Sequence, residues 1–499
     1  MPVHVAVRWH ALFFDEERSG CIVAQTILPW IPYFGHVLGY IKHGDDYFSD
    51  LCDKTSLPTF NIGMASVNIS LITPKMFKHL PKVHHLGLAP LVLEMFRRSL
   101  GLGKNSCDLL SEKDDHAKFF CKEVSRLFRE ELGPAQQVRK HALKIDEYIC
   151  SHIAKGNDIT AMDLEDWVFK CLVGSLGKAL WGGEKGPFAD DNFIKQLRIF
   201  LLNIQNLNNP VTLMIDKKVL HARQYVRQGF ESFSFEEFRA AQGSGDQEDN
   251  LLDNVRQLCL QHGASTEGWT DYQMLLITGL APNIMAASTW LMHHLLADPA
   301  LQTSVREQLY RFVEASPDSI DLSQVSDACP LLAATWHEVL RFHGSFTLGR
   351  YVHQDTTLAG KYLLKKGTYA LTPIRPHHRD ARTWGPNPDE FHPERFLGSD
   401  GKINEARRRH LRVYGTFGLL CPGRFLAVHM AMALAVRMLL AFEYYALDGP
   451  HVIPQEAKDS VAGLATPAWD VKVGVRKPPI NYDHVKFIFK AGLDTRIQE

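Results

Sequence analysis

The chain has 499 residues, of which 45% are hydrophobic and 22% are charged. This is the composition of a soluble globular protein that can bury an extended core, and it excludes a largely disordered chain. Lys and Arg together number 55 and Asp and Glu 56, so the bulk charge attracts neither nucleic acid nor an anionic membrane surface.

The first forty residues have neither the pattern of a signal peptide nor that of a spanning helix. Charged residues are scattered through positions 1–20, whereas a signal peptide needs an unbroken apolar core. The more apolar positions 21–40 contain Pro29 and Pro32, which would break a helix that crosses a bilayer. We therefore expect residues 1–28 to form an N-terminal extension that can lie on a membrane surface.

The cysteines predict a reducing compartment. There are nine of them, an odd number, and none lies in a C-x-x-C pair. This spacing argues against a zinc ribbon and against a disulfide scaffold. We expect an intracellular protein, either cytoplasmic or on the cytosolic face of the endoplasmic reticulum.

Helical periodicity dominates the chain, and strand signals are few. Apolar residues recur at spacings of three and four in the predicted helices, which are residues 162–181, 191–207, 270–297, 331–343 and 424–443. The polar residues 241–250 are predicted to form a loop. Strand signals cluster at residues 59–72, 350–371 and 470–475. The expected fold class is mainly α with small β-sheets, in a single domain at residues 29–485 with a C-terminal tail at 486–499.

The helix predicted at residues 270–297 contains a proline. Thr270 opens a capping-box pattern, which is typical of a helix start. Pro282 removes one backbone hydrogen bond and clashes with the carbonyl four residues before it, so we expect an opening near Thr278 and Gly279. Such an opening is either a tolerated kink in a core helix or room for a ligand.

One cysteine stands in a setting that the others lack. Cys421 follows a glycine-containing turn at residues 414–420, and Pro422 opens the predicted helix behind it. Glycines let the backbone approach a flat macrocycle, and a helix N-terminus stabilises a thiolate through its N–H groups and dipole. Taken alone, a cysteine near glycines is more often a small buried hydrophobic residue.

Three motifs in sequence order resemble those of the cytochrome P-450 family. They are Glu338-x-x-Arg341, the Phe-His-Pro-Glu-Arg-Phe segment at residues 391–396, and the Cys-Pro-Gly-Arg loop that begins at Cys421. The similarity extends over residues 29–478, which is nearly the whole chain. The Cys-Pro-Gly-Arg form is similar to fungal secondary-metabolism members and to the animal sterol and prostacyclin branch.

The resemblance implies the cytochrome P-450 fold and a haem group whose iron is bound by the thiolate of Cys421. It also implies a structural triad in which Glu338 and Arg341 bond with Arg395 and hold the segment that precedes the Cys421 loop. Loss of one member of such a buried triad would leave the other charges unpaired. Further cofactor contacts are implied for Arg350, which would meet a haem propionate, and for Tyr414, Gly415, Phe417 and Gly423.

Three residues depart from the family pattern. Phe417 and Leu419 stand where many members have glycine and arginine, so Arg350 is the best candidate for the propionate contact. Phe417 packs either against the porphyrin or within the core. In the kinked helix Asn283 replaces the usual acid, and because an amide is not an acid, proton delivery would need water or the substrate itself.

The leading hypothesis is a monooxygenase of an apolar small molecule in secondary-metabolite, lipid or terpenoid biosynthesis. It would use dioxygen, with electrons from a reductase. The alternative is an isomerase or dehydratase that needs neither dioxygen nor a reductase. The amide side chain of Asn283 is compatible with this alternative. A third hypothesis, from another class, is a haem-binding protein without turnover.

Partner and substrate contacts follow from the same resemblance. An NADPH-dependent flavin reductase with an acidic surface would dock near Arg407, Arg408, Arg409 and Arg412, although such basic runs are mostly solvated loops. The residues implied to line the substrate are Ser345, Phe346, Thr347, Leu348, Leu464, Ala465 and Thr466. Each of them is alternatively a core residue, Leu348 and Leu464 above all. No nucleic-acid partner is expected.

Overall fold

A computed structural model describes most of the chain. The described residues are 22–29, 35–64, 67–83, 85–87, 90–133, 136–155, 160–208, 217–233, 251–415, 420–447, 449–457, 463–478, 482 and 484–489. The loop predicted at residues 241–250 lies outside them, and so do Phe417 and Leu419.

Helices form most of the described structure, so the predicted mainly α class with small sheets is confirmed. The α-helices are α1 (Gly35–His43), α2 (Asp46–Asp53), α3 (Pro90–Phe96), α4 (Lys104–Leu110), α5 (Asp115–Leu132), α6 (Gln136–Lys155), α7 (Leu164–Leu180), α8 (Asp191–Leu202), α9 (Lys218–Glu231), α10 (Leu251–Gln261), α11 (Thr266–Leu280), α12 (Pro282–Ala297), α13 (Pro299–Ala315), α14 (Val325–Ala328), α15 (Pro330–His343), α16 (Arg375–His378), α17 (Ala381–Trp384), α18 (Glu405–Arg408) and α19 (Arg424–Ala441). Short 3₁₀ helices and one π-helical turn, Arg97–Gly101, join some of them.

The strands of the described residues form four small sheets. The strands are β1 (Ile22–Val23), β2 (Thr59–Met64), β3 (Val67–Ile72), β4 (Leu86–Gly87), β5 (Ala161–Asp163), β6 (Ser319–Asp321), β7 (Thr347–Val352), β8 (Thr356–Leu358), β9 (Tyr362–Leu364), β10 (Tyr369–Pro373), β11 (Glu443–Ala446), β12 (Lys472–Arg476) and β13 (Lys486–Ile488). The orders are β2-β3-β10-β7-β4, β1-β9-β8, β11-β12-β5 and β13-β6. The predicted strand regions are therefore all occupied by strands.

The start of α7 is set by a distant residue. The predicted helix began at residue 162, but Met162 belongs to β5 and the helix begins at Leu164. The carboxylate of Asp470 accepts hydrogen bonds from the backbone N–H groups of Glu165 at 2.7 Å and Asp166 at 3.0 Å. Asp470 thus satisfies two N–H groups that the first turn of a helix leaves without partners.

Two other predicted helices end earlier than their periodicity suggested. Helix α8 ends at Leu202, since the side-chain amide of Asn203 bonds to the carbonyl of Ile199 at 2.9 Å and competes with the backbone ladder. A 3₁₀ turn, Ile204–Asn208, follows. Helix α19 ends at Ala441, because Glu443 already pairs in β11.

The capping box predicted at Thr270 is wrong. Helix α11 begins four residues earlier, where the Ser265 hydroxyl accepts from the N–H of Gly268 at 3.1 Å. Thr270 lies within the helix and is 1% exposed. The helix is interrupted as Pro282 predicted, but at Ala281 rather than near Thr278 and Gly279, which remain in α11; α11 ends at Leu280 and α12 starts at the proline.

Helices α12 and α19 form the centre of the core and pack against each other; α12 also packs against α7 and α15. Within the described ranges two helical stretches, Gly268–Ala297 and Arg424–Ala441, are long and apolar enough to cross a membrane. Most of each is buried inside the protein, as in the core helices of soluble proteins.

Candidate functional site

A backbone hydrogen bond closes the loop in front of α19. The N–H of Cys421 donates to the carbonyl of Tyr414 at 2.7 Å, which brings the two ends of the turn together. Gly415 has a φ of 105°, a conformation that side chains disfavour, so glycine is needed at this position. The loop therefore presents Cys421 at a fixed place on the N-terminal end of the helix.

The Cys421 sulfur lies beside the first backbone N–H groups of α19. Cys421 is exposed as a residue. Burial raises the pKa of its thiol above the usual value, and the backbone N–H groups of Gly423 and Arg424 and the Arg424 charge offset only part of that rise. A Cβ atom on Gly423 would lie 3.9 Å from the sulfur, so this backbone runs directly beside it.

Other cysteines of the chain are chemically different. Cys52, Cys259 and Cys329 are buried, and burial raises the pKa of each thiol to about 12. Such thiols remain protonated at neutral pH and do not act as ligands. Among these cysteines and Cys421, only Cys421 combines exposure with N–H donors that lower the pKa.

Arg350 supplies a desolvated positive charge. It lies on β7, opposite Ala370 of β10, and its Nη1 donates to the carbonyl of Gly349 at 2.8 Å. Burial lowers the pKa of Arg350, and the nearby carboxylate of Glu112 opposes that effect. A thiolate donor and a desolvated guanidinium are the groups that a haem and its propionates require, so these residues fit the group.

An apolar cavity of about 290 Å³ lies beside the break between α11 and α12. Its wall is mainly aliphatic and aromatic, with a few polar side chains: Phe96, Leu100, Phe169, Leu201, Leu202, Ile204, Leu275, Thr278, Gly279, Pro282, Asn283, Met285, Gly463 and Thr466. A pocket of this composition suits an apolar molecule that a few polar groups orient.

The two polar residues at the helix break are already engaged. The amide oxygen of Asn283 accepts from the backbone N–H of Leu464 at 3.2 Å. The Thr278 hydroxyl donates to the carbonyl of Met274 at 2.7 Å. The side-chain NH₂ of Asn283 takes part in neither bond and is a hydrogen-bond donor on the cavity wall.

The segment 463–466 forms one wall of the cavity. Gly463 and Thr466 line it. Leu464 and Ala465 are 5% and 3% exposed, and Leu464 pairs through its backbone with Gly344. Among the described residues that line the cavity, six of the predicted substrate contacts are missing: Leu464, Ala465, Ser345, Phe346, Thr347 and Leu348.

The Ser345–Leu348 segment lies behind that wall instead. The N–H of Ser345 donates to the Gly463 carbonyl at 3.4 Å, and the N–H of Thr347 donates to Asp45 at 2.9 Å. Phe346 and Leu348 pack against a separate hydrophobic cluster that includes Phe77. Contact between these residues and a substrate stays a prediction.

The structure brings Glu338, Arg341 and Arg395 together. Arg341 bonds to Glu338 through two nitrogens at 2.7 Å each, and Arg395 Nε donates to the same carboxylate at 3.4 Å. Arg341 also donates to the carbonyls of His378 and Pro388, at 2.7 Å each. The side chains of Glu338 and Arg341 are fully buried, so the cluster fixes the segment before the Cys421 loop from the inside.

Of the four arginines predicted to meet a reductase, Arg408 is buried and forms an ion pair with Glu405. Arg407 donates to the carbonyl of Thr383, and Arg412 donates to the carbonyl of Arg409 at 2.6 Å. Arg409 is exposed. Arg408 is thus a structural residue, Arg407 and Arg412 are partly buried, and Arg409 is the most accessible of the four.

The sequence did not reveal most of the cavity wall. Phe96 and Leu100 come from α3 and the π-helical turn, Leu201 and Leu202 come from the end of α8, and Ile204 comes from the 3₁₀ turn behind it. These apolar residues look like any core residue in the sequence. The proline at 282 was the local signal that pointed to this place.

Comparison with known proteins gives consistent results. The family model described as cytochrome P-450 matches residues 27–473. The cytochrome P-450 monooxygenase nodJ of Hypoxylon pulicicidum is 24% identical over 94% of this chain and 91% of its own. A cytochrome P-450 monooxygenase of Gibberella zeae is 21% identical over 87% and 84%. Ent-sandaracopimaradiene 3-hydroxylase of Oryza sativa subsp. japonica is 30% identical over 36% of this chain and 35% of its own.

Proposed function

Because this chain belongs to the cytochrome P-450 family and is an oxidoreductase of the monooxygenase type, we propose that it oxidises an apolar small molecule of secondary, terpenoid or lipid metabolism. The observation that carries this proposal is the apolar cavity at the break between α11 and α12. The similarity to ent-sandaracopimaradiene 3-hydroxylase, whose name gives a terpene substrate, supports this proposal.

Cys421 would hold the haem iron, and Arg350 would hold a propionate; Tyr414, Gly415, Phe417 and Gly423 would shape the loop against the ring. When bound, a haem with a thiolate ligand would supply the electron density that promotes O–O cleavage. The N–H groups of Gly423 and Arg424 would favour the charged form of the Cys421 sulfur, in opposition to burial, which raises its pKa.

The cavity residues would orient the substrate and exclude water. Phe96, Leu100 and Leu275 offer apolar contact but no hydrogen-bond partner, so a hydrocarbon skeleton suits them. Asn283 offers an N–H donor to an oxygen atom or to a water molecule. Because Asn283 is not an acid, protons would reach this place through water or through the substrate.

Electrons would come from an NADPH-dependent flavin reductase that docks beside the exposed Arg409. Residues 1–28 would form an extension that contacts the cytosolic face of a membrane, and residues 29–485 would form the catalytic domain. The family match to residues 27–473 supports this division.

The second candidate function is an isomerase or dehydratase, which Asn283 favours because an amide orients an oxygen without delivering a proton. A turnover assay with ent-sandaracopimaradiene and other apolar terpenes as probes separates the two. A monooxygenase consumes NADPH and dioxygen in proportion to product and stops when the reductase is omitted. Product formation without reductase would support the isomerase or dehydratase and contradict monooxygenation.

A further inference from the structure

A row of three titratable side chains lies behind the cavity. The Nδ1 atom of His343 lies 2.9 Å from a carboxylate oxygen of Glu456, and its Nε2 atom lies 2.9 Å from Nε2 of His294. His343 and His294 are 2% and 5% exposed. Within the described part of the chain no group of His, Cys, Asp or Glu side chains is arranged to hold a metal ion, so the row has another role.

The carboxylate of Glu456 determines which ring nitrogens of His343 and His294 carry a proton. A carboxylate only accepts, so His343 donates to Glu456 from Nδ1, and its neutral Nε2 then accepts from the Nε2–H of His294. Burial lowers the pKa of both imidazoles and keeps them neutral. Arg375 balances the remaining negative charge, since its Nη2 donates to Glu456 at 2.6 Å.

Two aromatic contacts hold the imidazole rings in place. Trp290 of α12 stacks on His343 with 3.9 Å between ring centroids and an angle of 6°. His294 stacks on Phe391 with 3.5 Å and an angle of 3°. The rings therefore cannot turn without disturbing α12 and α15.

Glu456 sits on a backbone hairpin that reaches the cavity. The described residues of this wall hairpin are 455–457 and 463–468, and its two limbs are joined by hydrogen bonds from Ala457 N to Thr466 O at 2.8 Å and from Ala468 N to Gln455 O at 2.9 Å. Gly463 and Thr466 of this wall hairpin line the cavity.

The returning limb of the wall hairpin bonds to the same residues that surround the row. Ala465 donates from its N–H to the carbonyl of His343 at 3.2 Å and accepts from the Trp290 indole N–H at 2.6 Å. Leu464 donates to Asn283 at 3.2 Å. Both limbs are thus tied to one cluster, one through side chains and one through the backbone.

We propose that Glu456 is a positioning residue that fixes the wall hairpin against α12 through His343 and Arg375, and thereby sets the width of the cavity beside Asn283. The effect on which molecules are accepted rests on the proposed function; the effect on the wall hairpin does not. Removal of the carboxylate leaves the buried imidazole of His343 without its acceptor and leaves Arg375 paired with Asp46 at 3.1 Å instead of with the wall hairpin, so the wall hairpin opens more often.

The first test measures amide hydrogen exchange at residues 463–466 in the full-length protein, with and without haem. Glu456→Ala should accelerate exchange at Leu464 and Ala465 by about tenfold or more. Glu456→Gln should have a smaller effect, because it retains an acceptor for His343 but loses the charge opposite Arg375. If Glu456→Ala does not fold, the exchange rates at residues 463–466 in Glu456→Gln test the proposal instead.

Asp146→Asn is the matched control. Asp146 is a buried carboxylate that bonds to Arg437 at 2.8 and 3.1 Å, and neither residue lines the cavity. This variant should lower stability while exchange at residues 463–466 stays at the parental rate. Equal acceleration in the Asp146 and Glu456 variants would reduce Glu456 to a general stabilising residue and overturn the proposal.

The second test measures the dissociation constants of imidazole and 4-phenylimidazole from the Soret shift of the haem-loaded protein. In Glu456→Ala the affinity for the bulkier probe should change by about tenfold, while that for imidazole stays constant. Equal changes for both probes would contradict a change of cavity width. A parent protein with no response to imidazole would count against the haem-thiolate function, and the exchange data would still decide the positioning role.

Discussion

Arg341 donates from Nε and Nη2 to the two carboxylate oxygens of Glu338, and both side chains are fully buried. Glu338→Ala would leave the Arg341 cation in the interior, and we expect a loss of about 3–5 kcal/mol in the free energy of unfolding. Haem content, measured by the pyridine haemochromogen method, should fall with it. Arg341→Ala should lower the free energy of unfolding and the haem content in the same way. Arg395→Ala should also lower both.

Arg382→Ala is the control for this cluster, since Arg382 bonds only at the surface with Asp380 and its side chain is 75% exposed. Its effect on the urea midpoint should be small, because exposed pairs contribute little. Normal haem loading in the variants of Glu338, Arg341 and Arg395 would show that the cluster does not hold the Cys421 loop.

Cys421→Ala should abolish the thiolate signature in the reduced carbon-monoxide difference spectrum. Cys259 and Cys329 differ from Cys421 because they are buried and burial raises the pKa of each thiol to about 12. The variants Cys259→Ala and Cys329→Ala should therefore retain the signature. A thiolate-type spectrum in the Cys421 variant would require a different ligand.

Asn283→Ala removes both the acceptor for the Leu464 N–H and the donor that faces the cavity. For a monooxygenase we expect looser coupling, in which NADPH consumption continues and peroxide replaces part of the product. For an isomerase or dehydratase we expect turnover to fall with no dependence on reductase. Peroxide yield and product are measured together, and unchanged values for both would exclude Asn283 from the site.

Much of the fold follows from local patterns, because periodicity and proline act over a few residues. Pro282 predicted that the helix breaks, although the break lies at Ala281 and not near Thr278 and Gly279, and the i, i+3 spacing of Glu338 and Arg341 put both on one face of α15. The helix start was harder, since Thr270 and Ser265 are both acceptable caps and only tertiary packing decides between them. The cavity wall was not predictable, because nothing local joins Phe96 to Leu275.

Acidification should destabilise the protein through buried histidines. Burial lowers the pKa of His293 to about 3, against 6.5 for an exposed imidazole. Between these values the unfolded chain binds the extra proton, so stability is present above pH 6.5 and is lost as the pH falls towards 3. His293 alone changes the free energy of unfolding by at most about 1.4 kcal/mol per pH unit.

His293→Phe should flatten the dependence of the urea midpoint on pH between 6.5 and 5, while His43→Gln on the surface should not. The comparison is made between variant and parent at each pH. This is needed because burial raises the pKa of Glu165 to about 7, which has the opposite effect between pH 4.5 and 7. An identical slope in His293→Phe and the parent would mean that His293 is accessible to protons.

Arg409→Glu should weaken electron delivery without altering the carbon-monoxide spectrum. Arg409 is exposed, and reversing its charge removes attraction to an acidic reductase surface. We expect a higher KM for the reductase and a flatter dependence of that KM on salt. Lys366→Glu, on the loop between β9 and β10, is the control. Equal effects of both changes would indicate a general charge effect.

The carboxylate of Asp470 completes the first turn of α7 across 305 residues of sequence. During synthesis, ribosomes add about 5–20 residues per second, so the helix waits about 15–60 s for its cap. Until then the exposed N–H groups of Glu165 and Asp166 have only water as a partner. The N-terminal half of the protein therefore emerges with one of its central helices unfinished, and the first turn of that helix is completed only after Asp470 has been made.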